Sequence, residues 1–328
     1  MKTISVIGGG AWGTALAQNF AGEDRSVTLW VREPEVVEQI NTQRSNPFLK
    51  GVILDRHITA VNSLSKAAES DVLLIVTPAQ AVRTVLGSLR STDLHTKSIV
   101  ICSKGFEIGT GKLLSQVAHE EVPEAKIAVL TGPTFASDIA KGLPSAMTLA
   151  CEDKDHAAAL RDFLGTKRLR PYASTDVIGT QIGGAIKNVI AIASGIATGR
   201  GLGESARAAL ITRGISEMSR LTSAMGGRKE TLMGMCGAGD LILTCTSMQS
   251  RNYSFGMALG EGKSIDSILG ERNSVTEGYH TAKAVMTLAK NQAIDMPVCE
   301  TVYACLYDGL DIDKAIDQLL SRPFTRES

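Results

Sequence analysis

Three observations fix the expected fold class. A G-x-G-x-x-G turn lies between an apolar strand and a helix at the start of the sequence, strands and helices alternate up to about residue 174, and strand-like runs then vanish. Together they predict an α/β protein: an N-terminal Rossmann-type doubly wound domain followed by an all-α C-terminal domain.

Ile4, Val6 and Ile7 form a short apolar run that reads as a buried strand, and Thr14 to Phe20 carries helix-forming residues. Gly8, Gly10 and Gly13 lie in the turn between them. Gly8 permits the tight turn, Gly10 lets the backbone approach a pyrophosphate, and Gly13 lets helix and strand pack closely. The pyrophosphate would rest on the free N–H groups and positive dipole end of the helix. The same spacing also suits a tight glycine turn in another α/β domain; the strand-turn-helix setting favours the dinucleotide.

Ser26 to Val31 reads as a second strand, with Arg32 at its end, where the adenosine ribose would lie. An Asp or Glu there would bind the 2′-hydroxyl of NAD and repel the phosphate of NADP. Arg32 can pair with that phosphate, so NADP is admitted beside NAD; the alternative is a solvated arginine at a strand end. Asn41 to His57 is polar and irregular and contains Asn46-Pro47. A helix is expected over Ser63 to Glu69, then a continuously apolar strand from Asp71 to Val76 that ends in Thr77-Pro78.

Val82 to Arg90 reads as a helix, and Ser98 to Cys102 as a strand running into Ser103-Lys104-Gly105-Phe106-Glu107. A helix around Lys112 to Glu121 leads to a strand over Ile127 to Leu130 and to Thr131-Gly132-Pro133-Thr134-Phe135-Ala136 at its end. Ser145 to Cys151 and Leu169 to Tyr172 add strands, with a helix over Lys154 to Leu164 between them. Beyond about Thr175, periodic Ala-, Ile- and Leu-rich segments predict helices over Ile178 to Ala197, Glu204 to Met225, Ser254 to Gly260, Gly278 to Asn291, Pro297 to Asp308 and Asp311 to Leu320. The domains are accordingly placed at 1–178, for the dinucleotide, and 179–328, for substrate binding and catalysis.

Composition narrows the partners. The 328 residues carry 34 Lys plus Arg against 34 Asp plus Glu, so no global field points to nucleic acid or an anionic membrane. The six cysteines form no C-x-x-C pair and the five histidines are scattered, so no metal is expected and the thiols read as those of a reduced, cytoplasmic protein. No apolar signal segment opens the sequence, and the most apolar later stretch, Ala185 to Ala197, contains Lys187 and Asn188 and is too short to span a bilayer. Stable membrane insertion is therefore not expected.

Lys104 falls at the carboxyl end of a strand, where ligands of open α/β sheets bind. Lys187 sits within an otherwise apolar helix; burial there would lower its pKa towards a useful acid-base value, whereas most helical lysines are solvated. Asp240 follows a glycine turn that would let its carboxylate approach a substrate or a lysine, though Asp is equally common as a helix N-cap. Arg251-Asn252 precedes a short helix, a place to hold a phosphate or an ordinary loop arginine.

In order along the chain, the segments GGGAWGTALA (8–17), SKGFE (103–107), GPTFASDIAKG (132–142), GGAIKNVIAIASGIATG (183–199), GAGDLILTCTS (237–247), SRNYSFG (250–256), TEGYHTAK (276–283) and LLSRP (319–323) closely resemble those of the bacterial NAD(P)-dependent glycerol-3-phosphate dehydrogenases. Asp138 stands where Glu is expected, a conservative departure, and Thr77-Pro78 lies in a loop that varies between relatives. The resemblance implies that Lys187 is the general acid/base, with Lys104 and Asp240 beside the substrate. It implies that Gly132, Thr134, Ser250, Arg251 and Asn252 touch the substrate. Beside Gly8, Gly10 and Gly13, it makes Ala11, Trp12, Arg32, Lys104, Ala136, Arg251, Val275 and Glu277 contacts of NADP or NAD. The implied reaction interconverts dihydroxyacetone phosphate and sn-glycerol 3-phosphate in a cytoplasmic homodimer that supplies phospholipid synthesis. A β-hydroxyacid or sugar-acid dehydrogenase of similar two-domain design, and a non-catalytic redox sensor, are the alternatives.

Overall fold

The computed structural model describes residues 1–271 and 276–323. An eight-stranded sheet is built from β1 (Ile4–Ile7), β2 (Val27–Trp30), β3 (Ile58–Val61), β4 (Val72–Ile75), β5 (Ser98–Ile101), β6 (Lys126–Thr131), β7 (Ser145–Ala150) and β8 (Leu169–Ser174). Its order is β3-β2-β1-β4-β5-β6-β7-β8. The first six strands run parallel, with Ile4 beside both Val27 and Val72; β7 is antiparallel to β6, and β8 parallel to β7. The connections carry α1 (Ala11–Phe20), α2 (Pro34–Gln43), α3 (Leu64–Ala67), α4 (Val82–Gly87), α5 (Leu114–Glu121), α6 (Ala136–Ala140) and α7 (Lys154–Leu164).

The central strands are apolar on both sides, and this forces the double layer of helices. Val72 and Leu74 pack in one core with Val6, Leu16, Leu29 and Val100, whereas Leu73 and Ile75 pack in another with Ile7, Leu86, Ile99 and Ile101. The connections change direction at the β1–β4 boundary, so a crevice opens above the carboxyl ends of those strands.

The C-terminal half is helical: α8 (Val177–Gly199), α9 (Gly203–Ala224), α10 (Asp240–Cys245), α11 (Arg251–Gly260), α12 (Ile265–Gly270), α13 (Glu277–Asn291), α14 (Pro297–Tyr307) and α15 (Ile312–Leu320). Asp176 caps α8, its carboxylate accepting the N–H of Gly179 at 2.9 Å and that of Arg228 at 2.9 Å. Every residue from Gly179 to Ala197 is buried, so α8 is the axis around which the other helices pack. At 23 residues α8 is long and apolar enough to cross a membrane, in contrast to the shorter stretch singled out in the sequence; 89% of its apolar window is nevertheless buried inside the protein.

Glycines set the tightest contact in this half. On α8, a Cβ at Gly195 would stand 2.1 Å from Tyr253 O and one at Gly199 2.3 Å from Met257 O; on α11, Gly256 and Gly260 make the same approach to Ile192 O and Ile196 O. Each helix thus offers a G-x-x-x-G stripe to the other's backbone. The N-terminal half enters the helical core as well, since Phe106 and Leu113, from the loop after β5, pack with Ala282, Val285 and Leu288.

Several elements differ from the sequence reading for local reasons. α2 was not foreseen because only Val36 and Ile40 of it are buried, too few to set a period, and β3 is a four-residue edge strand next to the polar stretch. α6, α10 and α12 have five or six residues each, below the length at which periodicity registers. α11 begins at Arg251, three residues ahead of the expected start.

Replacing Gly256 with Ala would place a methyl group 2.0 Å from Ile192 O. We expect Gly256→Ala to lower stability by roughly 3 kcal/mol, the upper part of the range for overpacked cores, as measured by denaturant unfolding.

Candidate active site

The glycine turn after β1 has the geometry of a phosphate cradle. Gly8 has φ 130°, and a Cβ there would press to 3.0 Å of the Val76 carbonyl; a Cβ on Gly13 would stand 1.9 Å from Gly8 O. Only glycine allows the strand, the turn and α1 to close up in this way. Gly10, the N-cap of α1, faces open space, where an added Cβ would meet nothing within 4 Å. The helix has no side-chain cap and no acidic residue in its first turn, so its N–H groups and dipole are left for an anion. Trp12 packs against the core beside Ala11 with its indole Nε1 buried and without a partner among the described residues. These features fit a dinucleotide with its pyrophosphate over Gly10 to Gly13.

One support of this cradle escaped the sequence reading. Asn46, buried in the stretch read as irregular, donates to Gly9 O at 2.9 Å and to Thr14 Oγ1 at 2.7 Å. Its only local signal was the Asn-Pro step. Ala136 opens α6, which packs on α1. Arg32 lies beyond β2 with its side chain 82% exposed, and its guanidinium binds Glu33 Oε1 at 2.7 Å. A 2′-phosphate would compete with that carboxylate. Val275 lies outside the described residues.

The second site forms where the carboxyl ends of β5 and β6 meet the helical core. Lys104 follows β5, Gly132 follows the neighbouring β6, Lys187 lies on α8, and Asp240 opens α10. Lys187 Nζ donates to Asp240 Oδ1 at 2.5 Å and to Thr244 Oγ1 at 2.9 Å. Lys104 Nζ donates to the other carboxylate oxygen, Oδ2, at 2.6 Å, and reaches Gly132 O at 3.3 Å. Asp240 is fully buried and Lys187 is 6% exposed. Burial pushes the Lys187 ammonium down to about 7; the Asp240 carboxylate opposes that shift and the positive Lys104 adds to it. Thr244 was missed by the sequence reading, although Asp240 and Thr244 are spaced i, i+4 on one helix face.

Asp240 reaches this position through a π-helical turn, Met235–Gly239, a distortion that recurs at functional sites. Glycine is required on both sides of it: a Cβ at Gly183 would stand 2.4 Å from Cys236 O, and one at Gly237 2.0 Å from Leu232 O. Asp240 heads α10 while its carboxylate serves the two lysines, so the N-cap alternative is not what it does.

The segment at α11 is tied to the residue next to Lys187. Asn252 donates to Asn188 Oδ1 at 2.9 Å and accepts the Gly278 N–H at 2.9 Å, joining α11, α8 and α13. Ser250 is the N-cap, its hydroxyl oxygen accepting from Tyr253 N at 3.2 Å. Both side chains keep a donor for a ligand: the hydroxyl hydrogen of Ser250 and the second amide hydrogen of Asn252. Glu277 opens α13 with its carboxyl pushed up by burial, against the Ala79 N–H and the charge of Arg251. Thr134 Oγ1 stands 3.5 Å from Gly132 O, at the outer limit of a hydrogen bond. The structure thus gathers Lys104, Gly132, Lys187 and Asp240, joins Asn252 to them through α8 and α13, sets Ser250 and Arg251 beside it at the start of α11, and leaves Arg32 paired with Glu33.

Residues 3–157 match the family model described as the NAD-dependent glycerol-3-phosphate dehydrogenase N-terminus, and residues 176–317 match that of the C-terminus. The glycerol-3-phosphate dehydrogenase [NAD(P)+] of Rhodospirillum rubrum is 54% identical over 99% of this chain and 93% of its own length. That of Parvibaculum lavamentivorans is 52% identical over 100% of this chain and 98% of its own. A crystal structure of glycerol-3-phosphate dehydrogenase from Coxiella burnetii superposes with a TM-score of 0.93 at 37% identity, covering 98% of this chain and 99% of that one. The chain belongs to the NAD-dependent glycerol-3-phosphate dehydrogenase family.

Proposed function

We propose that the protein is a glycerol-3-phosphate dehydrogenase [NAD(P)+] that reduces dihydroxyacetone phosphate reversibly to sn-glycerol 3-phosphate. The observation that carries the residue roles is the buried carboxylate of Asp240 shared by the ammonium groups of Lys104 and Lys187. We divide the work at residue 178, with 1–178 holding the cofactor and 179–328 supplying most of the reacting groups.

When bound, the nicotinamide dinucleotide supplies the hydride. Gly8, Gly10, Ala11, Trp12 and Gly13 hold its pyrophosphate end, Arg32 meets the adenosine ribose, and Lys104, Ala136, Arg251 and Glu277 line the remainder. Reduction of a ketone also needs a proton at oxygen. Lys187 holds that proton on Nζ, Asp240 aims the ammonium, and Lys104 keeps its affinity for the proton low enough to release it near neutrality. Thr244 fixes a second direction of the same ammonium. Arg251 and the N-terminus of α11, with the remaining donors of Ser250 and Asn252, hold the phosphate, while Gly132 and Thr134 close the opposite side. Because Asn252 is bonded to Asn188, the distance from phosphate anchor to proton donor is set by the packing of α8 on α11.

We place the enzyme in the cytoplasm as a homodimer, with its product feeding phospholipid synthesis. The free cysteines, five of them buried, support a reducing compartment. Leu202, 43% exposed ahead of α9, offers apolar surface for a second copy.

Lys187→Ala is expected to bind the cofactor normally and to lose about a thousandfold in dihydroxyacetone phosphate reduction, followed by the absorbance of the reduced nicotinamide. Wild-type protein should turn over the phosphate ester and not dihydroxyacetone; equal rates on both would remove the phosphate anchor. Protonated Lys187 is the active form for reduction and the neutral amine for oxidation. The pH profile of kcat/KM should therefore fall above about 7 for ketone reduction and rise through the same range for glycerol 3-phosphate oxidation. Arg32→Ala should raise KM for NADPH more than for NADH, and an equal change in both would remove Arg32 from 2′-phosphate recognition.

A further inference from the structure

The loop that carries Lys104 is braced from outside the site. Ser103 Oγ donates to Thr77 O at 2.5 Å, and Gly105, at φ 139°, packs so tightly that a Cβ would stand 3.0 Å from that of Ala79. Phe106 is buried in the helical core. Beyond it, Gln80 grips the backbone on both sides of Glu107, donating to Phe106 O at 2.8 Å and accepting from Ile108 N at 2.9 Å.

Arg83 on α4 completes the brace. Its Nε and Nη2 bind the two oxygens of Glu107 at 2.6 and 2.9 Å, a bidentate fork, while Nη1 reaches Glu121 at 2.7 Å and Nη2 reaches Glu120 at 2.8 Å. Thr110 donates to Glu107 at 2.6 Å, Arg90 binds the far oxygen of Glu121 at 2.7 Å, and Lys112 pairs with Glu120. One planar guanidinium therefore ties the loop, three residues beyond Lys104, to α5. Lysine could not make this contact, because a point charge cannot present a fork to Glu107 and two further donors to α5. Without Arg83 the three carboxylates would face one another with too little positive charge between them, and Glu107 and Glu121 are largely buried.

We propose that Arg83, acting through Glu107, is a positioning residue for the reaction, setting where the Lys104 ammonium stands against Asp240. This rests on the reading that Lys187 is the proton donor and Lys104 its charged neighbour. The groups facing Lys187 are Asp240, Thr244 and Cys245 of α10 and Lys104 of the loop; burial raises the Cys245 thiol to about 12, so it is neutral near pH 7. If the loop shifts, Lys104 retreats. Its repulsion of the Lys187 proton weakens and Asp240 turns more fully to Lys187, so both changes strengthen proton binding at Lys187.

The test uses the full-length enzyme with Arg83→Gln and Glu107→Gln, beside Lys187→Ala. The expected result is about a tenfold lower kcat/KM for dihydroxyacetone phosphate, a cofactor KM within about twofold of wild type, and an alkaline limb of the reduction profile moved to higher pH. A purely structural brace would lower the melting temperature and leave kcat/KM and the limb in place, and that result overturns the proposal. Should Arg83→Gln fail to fold, the same readouts on Thr110→Val and Gln80→Leu decide: an unmoved limb in the folded variants overturns it equally. Full activity in Lys187→Ala would overturn the acid role on which the proposal stands. An inactive Lys187→Ala beside unaltered brace variants would overturn the brace alone.

Discussion

A buried carboxylate is the constraint from which the site follows. Asp240 has no exposed surface, and an ionised carboxylate taken out of water must be matched by charge and hydrogen bonds or give up its ionisation. Lys187 supplies one ammonium from the axis of the helical half, and Lys104 supplies the other from the end of a strand 83 residues earlier in the chain. Each lysine in turn needs the carboxylate. The trio carries one positive charge more than negative when both lysines are protonated. Burial that makes Lys187 costly to hold charged also lowers its hold on the proton.

Holding three such groups together demands short distances between backbones, and glycine provides them. α8 and α11 meet through facing G-x-x-x-G stripes, and the π turn ahead of Asp240 presses on α8 at Gly183. A Cβ at these positions would run into the facing backbone, at Cys236 O from Gly183 and at Tyr253 O from Gly195. The bond between Asn188 and Asn252 then locks the register of the two helices at the residue beside Lys187. Packing thus does the positioning, and the charged groups occupy the places that packing leaves.

The two halves are joined at the same point. Phe106 and Leu113 pass from the dinucleotide half into the core of the other, so the segment between them belongs to both. Lys104 stands just ahead of that segment. An ion network between α4, α5 and Glu107 lies just beyond it in the same loop.

The order of elements was legible from local sequence. Alternation, the glycine turn and the loss of strands near residue 175 are properties of neighbouring residues, and nearest-neighbour preferences determine them. α2, with two buried side chains, and the four-residue β3 gave too little pattern to read. Lys187 itself was ambiguous on periodicity, because a helix buried on every side has no polar face from which a lysine could be seen to depart. The resemblance of motifs singled it out, and the folded chain sets its ammonium 2.5 Å from Asp240 Oδ1. Asn46 and Thr244 stayed silent because their partners, Gly9 and Lys187, are remote in sequence. Sequence alone determined the fold class and the glycine turn, which local patterns of neighbouring residues set; the tertiary structure decided which charges meet, because desolvation and ion pairing depend on groups that only the folded chain brings within 3 Å.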